Sequence, residues 1–558
     1  MQIDNGYISD QFTLLAKLMD IHGENSFKSK SYANTAFTVD KLPMPLHGLS
    51  PDKIFAIKGI GESSGKKILE ILETGTLSNL TDLISNTPSG VLEMLQIKGL
   101  GPKKIATVWK EMGIESLGEL LYACNENRLL LYKGFGEKTQ KNVKDAIEFF
   151  MRNKGSFLWA EIEPYALQLE KNFQTAFAYA LSKIAGNFVK QMDTIDELTI
   201  VTTAIPNDVQ HYLITAGFSV EESTNITLIA LSPEQIKVEV IFTAIETFGQ
   251  TLLSHSSDAV FVEAIQNKMG DSFNKAYVDD KALLEAAGLP AILPALRRSA
   301  ALDHIIEQQT TLIQPNQIKG IVHSHSNWSD GVNTIEEMVK ACIQQGYEYL
   351  VISDHSKSAF YANGLNEERI KEQHLYINQL NQQYANFKIF KSIECDILND
   401  GQLDYSNEIL STFDLIIASV HSNLKMTEEK AMQRLLTAIQ NPYTTILGHM
   451  TGRLLLSRPG YPVDHKTIID ACADHSVAIE INAHPRRLDI DWTWIQYAME
   501  KGVPLSIDPD AHSIEGFHDC RFGVIAAQKA GLSAAQNLSS LSLNEFEAYL
   551  QKVKQRRF

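Results

Sequence analysis

The sequence predicts a multidomain α/β protein: a helical front, a small mixed α/β domain, and a C-terminal distorted barrel of seven strand–helix units. Three observations carry that expectation. A glycine-centred motif recurs three times in the first third of the chain. Apolar, strand-like runs cluster over 198–242, and seven short apolar runs alternate with amphipathic stretches after 318. With 558 residues there is material for three or four domains. The divisions expected are 1–90, 91–155, 156–306 and 318–558.

Composition narrows the class. Hydrophobic residues at 44% and charged residues at 21% are ordinary for a globular chain and exclude a disordered one. No window approaches the roughly 18 apolar residues of a membrane helix. The opening residues show no basic start followed by an apolar run, so no secretory signal is expected. The five cysteines are far apart and form no C-x-x-C pair, which argues against a disulfide scaffold or zinc ribbon and for the cytoplasm. A monomer is expected. The net charge of −17 is unevenly placed: residues 1–155 carry 19 basic and 18 acidic side chains, the rest 31 and 49. An acidic region can still engage phosphates if metal ions stand between them.

In the front, Ile57-Lys58-Gly59-Ile60-Gly61 recurs as Ile97-Lys98-Gly99-Leu100-Gly101 and, more loosely, as Tyr132-Lys133-Gly134-Phe135-Gly136. Each copy is flanked by helical stretches, and lysines follow it, among them Lys66, Lys67, Lys103 and Lys104. Both glycines of each pair are expected to turn with positive φ, leaving bare N–H groups at a helix start that favours anions. The segment resembles the helix-hairpin-helix module, which grips DNA phosphates without reading sequence.

Beyond it, a helix over 163–184 is expected, then strands over 198–203, 226–231 and 236–242. The polar passage 301–317, with Pro315, reads as a linker.

The seven C-terminal runs lie at 320–322, 349–353, 388–393, 415–420, 445–447, 477–481 and 504–507. Their ends carry His323, His325 and Asp330; Asp354 and His355; Glu394; His421; His449; Glu480 and Asn482; and Asp508, Asp510 and His512. In a βα barrel such ends converge on one face. Imidazoles and carboxylates without thiolates suit Mn²⁺ first, with Zn²⁺ or Fe²⁺ as alternatives, and their number calls for two or three divalent ions.

These motifs, with Ser329-Asp330-Gly331, Ser353-Asp354-His355-Ser356 and Asp510-Ala511-His512, look like the PHP (polymerase and histidinol phosphatase) phosphoesterase. That resemblance implies one ion on His323, His325, Glu394 and Asp510. A second would share Glu394 and use His421 and His449, and a third would use Asp330, His355 and His512. Arg453, Arg458 and Arg487 become candidates for holding a phosphodiester, although surface salt bridges are nearly as good a reading. Met450, where proline is usual, and His484, where asparagine is usual, depart from the pattern.

The whole chain resembles bacterial family X DNA polymerases. The resemblance puts Lys67 where the family's lyase lysine lies, although a phosphate counter-ion is the simpler role. Polymerisation needs an Asp-x-Asp pair and a third palm carboxylate; here the positions read Glu197-Leu-Thr199 and Glu239. The family's Gly-Ser-x-Arg-Arg run reads Gly186-Asn187-Phe188-Val189-Lys190. Threonine cannot serve as an anionic ligand, so a palm without chemistry is expected. The resemblance then implies a DNA-repair protein on gapped DNA or 3′ ends, whose PHP domain is a 3′→5′ exonuclease with Glu394 and Asp510 central to catalysis. An active gap-filling polymerase and a phosphatase of small monoesters are the alternatives.

Overall fold

A computed structural model describes residues 3–42, 44–152 and 155–555. The chain divides into two compact units, Met1–Phe150 and Met151–Phe558.

The front unit is helical throughout. Its first helix, Asn5–His22, is capped by the Asp4 side chain, which accepts from Tyr7 N, and ends at Gly23 in the left-handed region. Ile8, Phe12, Leu15 and Met19 from its inner face are buried with Tyr32, Ala36 and Val39 of the helix Ser26–Asp40. The three glycine motifs are turns between Pro51–Phe55 and Glu62–Thr74, between Ser89–Met94 and Pro102–Ala106, and between Arg128–Leu131 and Glu137–Arg152. One expectation is corrected here. Only the first glycine of each pair turns with positive φ, at +97° for Gly59, +91° for Gly99 and +97° for Gly134. Gly61 and Gly101 are helix N-caps with φ of −78° and −81°.

The second unit opens with β1 (Phe157–Leu158), β2 (Ser182–Ala185), β3 (Thr194–Ile195), β4 (Leu198–Thr202), β5 (Ser219–Ser223), β6 (Thr227–Leu231) and β7 (Lys237–Phe242). Five of them form one sheet in the order β2-β4-β7-β6-β5. The helix expected over 163–184 instead spans Trp159–Ala176, and Ser182–Ala185 has become β2. Phe177 closes that helix by packing on Phe173 and Tyr212, and Ser182 onward pairs antiparallel with β4. The polar strand β5, exposed along most of its length, had no apolar run to announce it. The 301–317 passage is no linker: Leu302–Thr311 is a helix whose Ile305 joins Leu312, Leu253 and Phe261 in a core.

The last region contains β8 (Gly320–Ser324), β9 (Tyr349–Ile352), β10 (Lys388–Lys391), β11 (Glu394–Asp396), β12 (Ile417–Ser419), β13 (Ile446–Leu447), β14 (Ala478–Asn482) and β15 (Leu505–Asp508). All pair parallel, in two sheets, β10-β9-β8 and β11-β12-β13-β14-β15. Single parallel bridges, Ser324 to Ala511 and His355 to Glu394, join them at both seams. The third expected run is thus split. Lys388–Lys391 pairs with β9, Ser392 N still donates to Ile352 O, and Glu394 then takes Ile417 of β12 as its partner. The break delivers Glu394 to the junction between the sheets.

Candidate metal centre

The C-terminal strand ends carry their side chains into one buried cluster. His325, Asp330, His355 and His512 form one group of donor atoms, His323, His325 and Asp510 a second, and His355, Glu394 and His421 a third. Glu394 links them. Its Oε1 lies 2.9 Å from His449 Nε2, 3.0 Å from His421 Nε2 and 3.3 Å from His323 Nε2, while Oε2 lies 2.9 Å from His355 Nδ1. Asp510 Oδ1 is 3.1 Å from His325 Nε2 and 3.4 Å from His323 Nε2, and Asp330 Oδ2 is 3.5 Å from His355 Nε2.

The backbone is bent to bring this about. His323 and Asp510 sit in the left-handed region, at φ +60° and +52°. Such a conformation costs a non-glycine residue about 1–2 kcal/mol. At His323 it coincides with an irregularity in the β8–β9 register between Ile321 and Ser324. The two bends lie at His323 and Asp510, which together with His325 form one of the donor groups.

A further layer orients the donors. Glu480 faces His323 Nδ1 through Oε1 and accepts from His449 N at 2.5 Å through Oε2. Asp396 fixes His421 through Nδ1. Asn482 Nδ2 donates to Asp510 Oδ2 at 3.1 Å. Asp354 accepts from Ser326 N, Ser326 Oγ, Ser329 Oγ and Gln373 Nε2, which sets the loop that carries Asp330. Asp396 was missed in the sequence because it lies three residues beyond the third apolar run, at the far end of the short strand that begins with Glu394. Pinning the ring nitrogen that faces away from a metal in this way raises ligand basicity.

Electrostatics fit a cation site. Burial opposes charge on Glu394, yet His421, His323 and His355 hold its pKa well below the ordinary carboxylate range. Burial likewise opposes Asp330, and His355 with His512 holds it well below. Burial and the neighbours His512 and His355 push the pKa of His325 down, whereas at His323, against its burial, Glu480, Asp510 and Glu394 carry it well up; a ligating imidazole is neutral, so a cation taken up here would displace protons. His323 Nε2, His325 Nδ1, both oxygens of Asp330 and Glu394 Oε2 are buried without an aligned hydrogen-bond partner among the described residues. Buried polar atoms in such number are costly unless something satisfies them, and a mixed nitrogen–oxygen set without sulfur fits hard or borderline divalent cations.

Three family profiles match: a helix-hairpin-helix domain over 3–77, a SAM-like helix-hairpin-helix tandem over 91–148, and a PHP domain over 322–484. Over nearly its whole length the chain is similar to "DNA polymerase/3'-5' exonuclease PolX" of Bacillus subtilis, 32% identical across 96% of this chain and 98% of that protein. It belongs to the PolX family. Parts of the chain are also similar to probable phosphatases of Caldanaerobacter subterraneus subsp. tengcongensis (26% identical, 42% of this chain, 91% of that one) and of Thermoanaerobacter sp. (26%, 34% and 77%).

The barrel departs from expectation at the arginines. Arg453 does not face the cluster. It pairs with Asp491 and Asp193 and donates to the carbonyls of Arg487 and Leu488. Arg458 donates to Gly452 O at 2.8 Å. Of the candidates, Arg487 stands at the centre, its Nε 3.7 Å from Asp510 Oδ2. Desolvation of the half-buried His484 pushes its pKa down to about 3, and its Nδ1 accepts from Arg486 N. Met450 is fully buried in the barrel core.

In the mixed α/β region expected to be palm-like, Glu197 Oε2 is 2.8 Å from Lys237 Nζ. Thr199 is buried beside Glu239 in the β4–β7 pairing. Gly186, at φ +70°, leaves room for Thr199, whose Oγ1 would stand 2.6 Å from an added Cβ. Asn187 O accepts from Met192 N, and Phe188 stacks on Trp159. All groups able to hold a metal among the described residues lie in the barrel, none in the palm.

In the front, Lys66 pairs with Glu62 at 2.7 Å on an exposed surface, and Lys67 Nζ lies 5.7 Å from the Tyr32 ring centroid. Lys103 is exposed, while Lys104 reaches Gly99 O at 3.4 Å and the Phe135 ring. A Cβ on Gly61 or Gly101 would meet nothing within 4 Å. No helix of the described residues is long and apolar enough to cross a membrane.

Proposed function

We propose that this chain is a DNA-repair nuclease of the cytoplasm. Its PHP domain hydrolyses phosphodiesters from 3′ ends, its front hairpins hold the DNA backbone, and its palm no longer polymerises. The observation that carries the reading is the contrast between two sites. The barrel gathers nine donor residues, with buried donor atoms awaiting partners. The palm offers Glu197, which stands 2.8 Å from a lysine, and Glu239, with a threonine between them where a third carboxylate is expected. The name of the Bacillus subtilis relative joins both activities, and the intact cluster favours the exonuclease.

His323, His325 and Asp510, with Glu394, would hold one ion. Glu394, His421 and His449 would hold a second, and Asp330, His355 and His512, with His325 beside them, a third. Such ions, Mn²⁺ foremost, supply Lewis-acid polarisation of the phosphoryl group and activation of water near neutral pH. The protein's share is positional. Glu394 bridges the donor groups, Glu480 and Asp396 keep His323 and His421 aimed inward, and Arg487 offers a guanidinium for a phosphate oxygen. At the front, the N–H groups following Gly61 and Gly101 meet backbone phosphates, with Lys66, Lys67, Lys103 and Lys104 as counter-charges.

With Mn²⁺, a 5′-labelled gapped duplex should shorten stepwise from its 3′ end, and His323→Ala/His325→Ala should bring that to background. An intact duplex after incubation with the native chain would remove the nuclease reading. Templated extension by added deoxynucleotides would restore the palm. A second reading, a phosphatase of small monoesters, draws on the probable phosphatases to which part of the chain is similar. Faster turnover of p-nitrophenyl phosphate than of DNA would put it first.

A further inference from the structure

Among the described residues the palm meets the barrel at three sets of ion pairs: Arg486 with Glu161, Arg521 with Glu163, and a buried network centred on Asp193. Asp193, just before β3, receives Lys529 on Oδ1 and Arg453 on Oδ2. The Lys529 side chain is 1% exposed, that of Asp193 12% and that of Arg453 15%. Arg453 uses its remaining donors on Asp491 and on the carbonyls of Arg487 and Leu488. Those two residues belong to the 484–489 loop, which leaves β14 and brings Arg487 to Asp510. The loop closes on β14 where Asn482 N donates to Asp489 O. On the palm side, the 186–193 segment is locked by the Phe188–Trp159 stack, by Trp159 Nε1 donating to Phe188 O, and by Arg298 donating to Lys190 O.

We propose that Asp193 is a positioning residue for the PHP centre: by holding Arg453 it fixes the loop that sets Arg487, so the palm serves as the wall against which the hydrolase is aligned. This rests on the nuclease reading for its catalytic consequence, but not for its geometry. Asp193 touches no donor of the cluster. It acts through a guanidinium whose hydrogen bonds end on the carbonyls of the arginine that does approach it. Lys529 shares Asp193, yet makes no hydrogen bond to the loop, so the two partners are separable.

The test uses the full chain with Mn²⁺ in three forms: native, Asp193→Asn and Lys529→Met. Backbone hydrogen exchange is followed over 484–491, and kcat and KM for 3′-end hydrolysis are measured separately. Asp193→Asn should speed exchange in that segment at least tenfold and lower kcat about tenfold, with KM for DNA within twofold and bound Mn²⁺ unchanged. Lys529→Met should leave the loop's exchange as in the native chain. Unchanged exchange in Asp193→Asn overturns the proposal. So does faster exchange with kcat intact, or equal loosening by Lys529→Met, which would make the network plain packing. Should Asp193→Asn fail to fold, Arg453→Lys takes its place, keeping the charge but losing the forked donors; its loop must loosen in the same way or the proposal falls. If the native chain cleaves no DNA, the nuclease reading fails, and the exchange comparison still decides whether Asp193 holds the loop.

Discussion

At Glu480 a single carboxylate does two things: it faces the ring nitrogen of His323 and accepts from the backbone of His449. Removing it by Glu480→Ala should weaken Mn²⁺ binding about 10- to 100-fold, the usual effect of losing an outer partner of a ligating imidazole. Calorimetric titration of metal into the apo chain checks this. Asp519 makes a different case. It precedes the helix Cys520–Gln528, its side chain makes no capping bond, and burial pushes its pKa up to about 7. The folded form therefore holds a proton that the unfolded chain releases near pH 4, and stability from this group is lost as pH rises from about 4 to 7. Asp519→Asn should match the native chain at pH 4 and exceed it by about 1–2 kcal/mol at pH 8, since part of the side chain stays in water. Melting curves of the pair at both pH values show the sign. The donor residues themselves were readable in the sequence because each follows an apolar run. The role of Arg453 was not, since its partner Asp193 lies 260 residues away and no local pattern joins them.

Among the elements, the glycine turns make the sharpest contrast. Gly59 needs its positive φ and already stands 3.1 Å from Thr38 Oγ1 through a notional Cβ; Gly61 and Gly101 need neither. Gly59→Ala should cost about 1 kcal/mol or more, whereas Gly61→Ala and Gly101→Ala should leave the melting temperature unchanged or slightly raised. If the hairpins grip DNA, those last two should still weaken binding, because a methyl would stand where a phosphate backbone comes close. Fluorescence anisotropy with a labelled duplex in chelator separates the two effects. The repeats were legible as turns from spacing alone. Which glycine bears the strain was not, because both look alike until the helix start is placed between them. The split third strand was hidden for a similar reason: 388–393 is one apolar run, and only pairing shows that it serves two sheets.

For the whole molecule, a metal held in the barrel would be coupled to the fold. Ions that bind only the folded barrel should stabilise it by about 2.7 kcal/mol at a hundredfold excess over Kd. Dialysis against a chelator should therefore lower the melting temperature of the chain, and Mn²⁺ should restore it; a melting curve indifferent to both would mean the cluster binds nothing tightly. The order of the domains was visible early, since the repeats, the middle strands and the barrel each have their own periodicity. The contact between palm and barrel was not, because it is made by single charges on separate elements.

The Lys237 ammonium bears on any metal chemistry in the palm. It stands 2.8 Å from Glu197 Oε2, so it occupies the place a cation drawn to Glu197 and Glu239 would want. Both partners reach solvent, and a divalent ion would need only to turn that lysine outward, because an exposed pair of this kind holds weakly.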